Sequence, residues 1–254
     1  GCPILDSGDN GVPAAGDPIF TDPDDLLALE LAPAKHGRIP MILDAARQIA
    51  EQNPDAEVRI PMSGPFTIAC HLLGMENAIC NLAMEPDRMT AALEQLAANQ
   101  QKFARLADSK GFGISLFESS VTPPLLSPAM FGKVVAPALR QILEGLNRPT
   151  QLIIGGDTIH ILEDLLNLQP NYIICPVETN QVKFLSRVPA GPTVRVNMAP
   201  TVFQAGRMND SLQEAERVFR LASTHSNTTV GSLIPYDADP EVVSRTADWV
   251  RDAT

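Results

Sequence analysis

Short apolar runs that end in glycine, proline or acidic residues recur along the chain, and a helical pattern follows each one. Glu57-Val58-Arg59-Ile60-Pro61-Met62-Ser63 runs into Gly64-Pro65-Phe66-Thr67-Ile68-Ala69. Residues 113–117 run into Glu118-Ser119-Ser120, 151–154 into Gly155-Gly156-Asp157, 172–175 into Pro176-Val177-Glu178, and Val194-Arg195-Val196 into Asn197-Met198. Together with a run at 228–233, these predict six strands, at 57–63, 112–117, 151–155, 172–175, 193–197 and 228–233. Helices are expected over 23–30, 37–52, 75–83, 86–110, 127–146, 158–168, 180–187, 209–224 and 240–252. The first has Thr21 or Asp22 as its cap and proline in its first turn. Residues 37–52 carry Ile39, Ile42, Leu43, Ala46 and Ile49 on one face. Pro137, inside 127–146, predicts a kink. Residues 1–20, rich in Gly, Pro and Asp, read as irregular loop.

Apolar strands alternating with helices argue for a parallel sheet covered by helices. Six β/α units of this kind fit a barrel or an open doubly wound sheet, and periodicity does not choose between them. In both, ligands sit at the C-terminal ends of the strands. The residues that follow the strands are therefore the candidates for chemistry. No repeat, low-complexity tract or linker interrupts the pattern, so a single domain over 1–254 is expected.

Composition narrows the function classes. The 254 residues are 44% hydrophobic and 19% charged, as expected for a globular core. A net charge of -11 leaves no Lys/Arg stripe for a phosphate backbone, which argues against a nucleic-acid partner. No apolar run reaches about 18 residues, so no membrane span is expected. The four cysteines, Cys2, Cys70, Cys80 and Cys175, form no CxxC pair and fit a reducing, cytoplasmic setting.

Several blocks stand in a fixed order: Gly64-Pro65-Phe66-Thr67 with Leu72-Leu73-Gly74; Leu125-Leu126-Ser127-Pro128 with Phe131; Gly156-Asp157-Thr158 with Ile161-Leu162; Asn197-Met198-Ala199-Pro200; and Asp239-Pro240-Glu241. This set resembles the uroporphyrinogen decarboxylase superfamily, which includes the methylcobamide:coenzyme M methyltransferases. The resemblance implies a TIM-type (β/α)8 barrel of which this chain lacks the first strands. It also implies an enzyme, a methyltransferase or a carboxy-lyase. The blocks look closer to the methyltransferase branch, which suggests methyl transfer with a corrinoid as carrier and no tightly bound cofactor. The alternatives are uroporphyrinogen III decarboxylation in tetrapyrrole (porphyrin) biosynthesis and a non-catalytic barrel that binds a tetrapyrrole or a partner. A corrinoid protein as partner and a homodimer are compatible with it.

The candidate catalytic residues are His71, Glu118 and Asp157. His71 lies on the helix after Gly64-Pro65, where the related decarboxylases have a substrate-facing tyrosine, and a histidine can serve as acid or base near neutral pH. As a bland alternative, it is a partly buried helix histidine bonded to backbone. Glu118 is a strand-end carboxylate that can serve as a ligand, a general base or a salt-bridge partner, or it caps the segment that follows it. Asp157 follows two glycines that allow close backbone approach, or caps the next helix. The ligand-binding candidates are Phe66, Glu178, Asn197, Ser232 and Tyr236, all near strand ends. Arg195 is a candidate partner for an anion or for Glu178. Cys175 reads as a small buried apolar residue. These strand-end groups are expected to converge on one mouth of a barrel.

No metal site is expected. The family's methyltransferases hold zinc with a His-x-Cys pair and a later Cys, to bind a thiol and lower its pKa. The matching positions here are Ile153, Gly155 and Ser232. The decarboxylase pattern also departs, with Ser232 for its histidine and Ala199 for an acidic residue. Its arginine-rich segment and catalytic aspartate belong to a part of the family fold that precedes Gly1.

Overall fold

The structure, a computed structural model, describes residues 3–5 and 14–253. The expectations for the rest of the first twenty residues, and for Cys2, lie outside them. The chain divides into two compact units: residues 1–153 with 163–170, and 154–162 with 171–254.

In the first unit, β1 (Ile4–Leu5) pairs antiparallel with β2 (Ala14–Ala15), where an irregular loop was expected. A 3₁₀ turn at Pro23–Ala28 follows, capped by the Asp22 carboxylate on the Asp24 N–H at 2.9 Å. Helix α1 (Ile39–Gln52) buries Leu43 and Ala46 but leaves Ile49 exposed. Strand β3 (Arg59–Ser63) enters α2 (Pro65–Leu73) through Gly64, with proline in the first turn, where its missing N–H costs nothing. Gly74, at φ 87°, turns the chain into α3 (Met75–Met84), in a region that disfavours any residue with a Cβ. Helix α4 (Pro86–Ser109) buries Met89, Leu93, Leu96 and Phe103 and packs along α2 and α3.

Strand β4 (Gly113–Phe117) lies parallel to β3, with Ile60 opposite Ile114 and Met62 opposite Leu116. The expected helix 127–146 is α5 (Pro128–Met130), a π turn at Phe131–Val135, and α6 (Ala136–Leu143). The irregularity expected at Pro137 thus takes the form of a wide turn just before it. A proline there has no N–H for the i→i−4 ladder, and its ring crowds the carbonyl one turn back. Strand β5 (Thr150–Ile153) adds to β4, with Leu116 opposite Leu152. Ile60, Met62, Ile114, Leu116 and Leu152 are all buried, while their neighbours along the strands face the other side of the sheet.

Helix α7 (Leu162–Asn167) follows a 3₁₀ turn at Thr158–His160. In the second unit, β6 (Tyr172–Cys175), α8 (Gln181–Arg187), β7 (Thr193–Asn197), α9 (Met208–Ala222), β8 (Thr228–Gly231) and α10 (Pro240–Asp252) alternate. Strands β6, β7 and β8 are parallel, with Ile174 opposite Arg195 and Asn197 opposite Gly231. Val194 and Val196 are fully buried, whereas Thr193, Arg195 and Asn197 share the opposite face and are half-buried. Helices α9 and α10 pack through an edge-to-face contact of Phe219 and Trp249, centroids 6.0 Å apart. Among the described residues no helix is long and apolar enough to cross a membrane.

Candidate functional site

In the first unit, the β3–α2 junction is built around one carboxylate. Glu118, at the end of β4, is fully buried. It accepts the backbone N–H groups of Phe66 at 3.2 Å and Thr67 at 2.7 Å, and the Thr67 hydroxyl. The Thr67 hydroxyl accepts in turn from the Ser120 N–H at 3.1 Å. Glu118 therefore takes up orphan donors at the start of α2, from a strand rather than from the helix's own cap residue, Gly64. Gly64 fits because it is small: a Cβ there would collide with the Glu118 side chain. Burial pushes the Glu118 carboxyl up to about 7, against the pull of the Thr67 and Phe66 hydrogen bonds.

Around it, the Cys70 thiol is driven up to about 12 by burial, the Ser120 hydrogen bond opposing and the Glu118 charge adding to the rise. Gln100 of α4 donates to the Ser63 carbonyl at the end of β3, and its buried Oε1 has no hydrogen-bond partner among the described residues. The Phe66 ring is fully buried, so its N–H is what meets the carboxylate. His71, one turn past Thr67 on α2, is exposed. Thr67 and His71 thus lie on one helix in opposite environments.

In the second unit, Asp157 caps the turn after Gly156, accepting from the Ile159 N–H at 3.3 Å and from the Thr179 hydroxyl at 2.7 Å. It therefore ties the loop before α7 to the loop after β6. Glu178, next to Thr179, is exposed. Cys175 is fully buried, and burial pushes its thiol up to about 12, with the Arg217 charge opposing. This is the inert, packed cysteine that the sequence suggests.

Asn197, at the end of β7, accepts the Arg195 Nε–H on its side-chain oxygen at 3.0 Å. Its carbonyl accepts from Gln181 Nε2 at 2.8 Å. Ser232 donates to the Met198 carbonyl at 3.0 Å, and it lines an apolar cleft of ≈270 Å³ with Met198, Phe203, Val230 and Ile234. Tyr236 is exposed in the loop after β8.

Four partners were not singled out in the sequence: Thr67, Thr179, Gln181 and Arg217. Thr67 sits in a quoted block but has no side-chain role there; its pairing with Glu118 spans 51 residues. Thr179 lies between the strand end at 172–175 and the helix expected over 180–187, and its bond to Asp157 spans 22 residues. Gln181 and Arg217 sit 36 residues apart, and only the Glu214–Arg217 spacing on α9 is a local signal.

The positions at which the family resemblance places zinc ligands are Ile153, Gly155 and Ser232. Ile153 and Gly155 offer no ligand atom, and the Ser232 hydroxyl is engaged with the Met198 carbonyl. Among the described residues no group of three or more His, Cys, Asp or Glu side chains is placed to share a metal ion.

Parallel strands alternating with helices make an α/β fold, and its likeness to solved structures places it with the TIM-barrel type. A methyltransferase from Methanosarcina mazei superposes with a TM-score of 0.84 at 20% identity, covering 100% of this chain and 76% of that one. A B12-independent methionine synthase from Shewanella sp. W3-18-1, solved with selenomethionine, superposes with a TM-score of 0.60 at 14% identity, over 84% of this chain and 67% of that one. The family model "Uroporphyrinogen decarboxylase (URO-D)" matches residues 1–253, and the chain belongs to that family. A methylated-thiol–coenzyme M methyltransferase of Methanosarcina mazei is 27% identical over 152 residues. That match takes in 59% of this chain and 41% of the relative's length.

Proposed function

We propose that the chain is a methyltransferase-type member of the uroporphyrinogen decarboxylase family that moves a methyl group to a thiol, with a corrinoid as the carrier and without the family's zinc ligands. The observation that carries this is the relative found by sequence, a methylated-thiol–coenzyme M methyltransferase, together with Ala199 and Ser232 at positions where the family resemblance places the decarboxylases' acidic residue and histidine.

In the proposed reaction the acceptor sulfur forms a bond to the methyl carbon. The carrier–carbon bond breaks with its electron pair left on the carrier, and the thiol proton leaves to a base. A corrinoid supplies a methyl group bound to cobalt, which suits attack by a sulfur nucleophile. Asp157, half-buried and held by Thr179, is the candidate base of the second unit. Glu118 has a different role. Its oxygens are committed to Phe66 and Thr67 and it is shielded from solvent, so it positions the start of α2 rather than touching substrate. His71, exposed on that helix, is the candidate that can meet a ligand in the first unit.

The test is to incubate the purified chain with methylcobalamin and a simple thiol, 2-mercaptoethanol, under anaerobic conditions. Loss of the methyl–cobalt absorption band in proportion to protein supports the proposal. An unchanged spectrum, with decarboxylation of uroporphyrinogen by the same preparation, overturns it.

A further inference from the structure

In the first unit, the polar face of the sheet carries a pair of buried side chains in its middle row. Pro61, Ser115 and Gln151 stand opposite one another on β3, β4 and β5. Paired residues of parallel strands share a face, so these three point away from the face of Ile114, Leu116 and Leu152. Ser115 and Gln151 are only 9% and 7% exposed. The Ser115 hydroxyl donates to Gln151 Oε1 at 3.1 Å. That bond fixes the oxygen of the amide. It leaves Nε2, which carries two N–H donors, without a hydrogen-bond partner among the described residues.

The rows on either side decide where an acceptor for Nε2 comes from. One row toward the strand starts, Arg59 is opposite Gly113, and its stem crosses the glycine: an added Cβ there would stand 2.7 Å from Arg59 Cγ. Glu57 holds Arg59 Nε at 3.2 Å. That side of the amide is filled. One row toward the strand ends stand Ser63, Phe117 and Ile153. Pro61 and Ser63 are exposed and Phe117 and Ile153 are half-buried, so the face is open on that side. The two rows are about 6.6 Å apart, two residues along a strand.

A buried donor without an acceptor is costly, and a site built around one rejects a ligand that lays an apolar group over it. Phe117 and Ile153, one row above the amide, suit a hydrocarbon stem, and the row spacing matches roughly two or three carbons. We propose that this face is a ligand subsite in which Gln151 Nε2 donates to a carbonyl or carboxylate oxygen at the end of such a stem, with Ser115 as the positioning residue that turns the amide toward it. The proposal rests on taking the strand ends as ligand-facing, as the methyl-transfer reading does, and its test does not depend on turnover.

The probes are 3-mercaptopropionate, 3-mercaptopropionamide and 3-methylbutane-1-thiol, with affinities measured by titration calorimetry. They share one skeleton and end in a carboxylate, an amide carbonyl and a hydrocarbon. Gln151→Met keeps the length of the side chain and removes the donor. It weakens the two oxygen-bearing thiols about tenfold, the size of one buried hydrogen bond, and leaves the hydrocarbon unweakened. Whichever of the two loses more shows whether the subsite takes an acid or a neutral carbonyl, and both results support it. Ser115→Ala gives the same selective loss to a smaller degree, and Ser115→Thr, which keeps the hydroxyl, retains the wild-type pattern. A purely structural role would weaken all three probes alike. A second measurement needs no folded variant: in the ¹⁵N-labelled wild-type chain the Gln151 side-chain amide protons shift when 3-mercaptopropionamide is added, and not when 3-methylbutane-1-thiol is. Failure of the wild type to bind either oxygen-bearing thiol, equal losses for the three probes in Gln151→Met, or amide protons unmoved by 3-mercaptopropionamide overturns the proposal. Selective binding without methyl transfer removes the methyl-transfer reading alone, and methyl transfer without selective binding removes this one alone.

Discussion

Thr67 gives Glu118 both its backbone N–H, at 2.7 Å, and its hydroxyl, and that one residue locks the end of β4 to the start of α2. The Thr67 hydroxyl also accepts from Ser120, so the segment after β4 is held by the same group. The Gly64-Pro65-Phe66-Thr67 block thereby acquires a physical meaning: proline starts the helix, threonine grips the carboxylate, and glycine leaves room for it.

Removing the carboxylate leaves two buried N–H groups and a hydroxyl without their acceptor. Glu118→Ala is expected to lower unfolding free energy by about 3 kcal/mol, which is the cost of breaking a buried network of this kind. Chemical denaturation of the variant against wild type measures it. A loss within about 0.5 kcal/mol would mean that water replaces the carboxylate at no cost.

Gly64→Ala should be destabilising by about 2 kcal/mol, although its φ of -73° suits any residue. The cost is a collision with Glu118 and not backbone strain. The two substitutions must therefore be non-additive: in Gly64→Ala combined with Glu118→Ala, the alanine at 64 should cost far less than it does alone. A double-mutant cycle read by denaturation decides this, and simple additivity would contradict the packing described.

Glu118 also sets a pH dependence. Its folded carboxyl, at about 7, stands above the ordinary value of 4.5, so the native state holds its proton where the unfolded chain has released it. The contribution is fully present below about pH 4.5 and is lost as pH rises toward 7, about 3 kcal/mol in all. Glu118→Gln removes this slope. Melting curves of wild type and variant between pH 4 and 8 should converge or cross as pH falls, and parallel curves would refute the assignment.

His71→Ala should cost folding less than about 1 kcal/mol, because the side chain is exposed. If His71 meets the ligand, affinity should fall by about 1–3 kcal/mol in the same variant. A drop of many degrees in melting temperature with binding intact would mark it as a structural histidine.

Much of the architecture is legible from pattern because the signals are local. Tyr172–Cys175, Thr193–Asn197 and Pro240–Asp252 fall where alternation and caps place them. Asp157 shows its capping role in the residues beside it. The pairing of Ile4–Leu5 with Ala14–Ala15 escapes because two-residue strands carry no periodicity. The roles of Glu118, Gln181 and Arg217 are invisible for another reason. Each depends on partners 36 to 52 residues away, and a strand-end glutamate looks the same in sequence whether it faces a ligand or caps a neighbouring helix. The family blocks do mark Thr67 and Asn197, but not the hydrogen bonds that give them work.

Elemental analysis of the purified chain should find zinc well below one equivalent. Ile153, Gly155 and Ser232 stand at the positions where the family resemblance places an imidazole and two thiolates. One tightly held zinc per chain would show that other residues converge to bind it.

The most direct test of the methyl-transfer proposal follows the methyl group itself. Methylcobalamin carrying a ¹³C-labelled methyl is incubated anaerobically with the chain and 3-mercaptopropionate, and the products are read by NMR. The account predicts a labelled S-methyl thioether that accumulates in proportion to protein and falls in Asp157→Asn. Label that stays on cobalt at every protein concentration, or a thioether that forms equally fast without the protein, would contradict it.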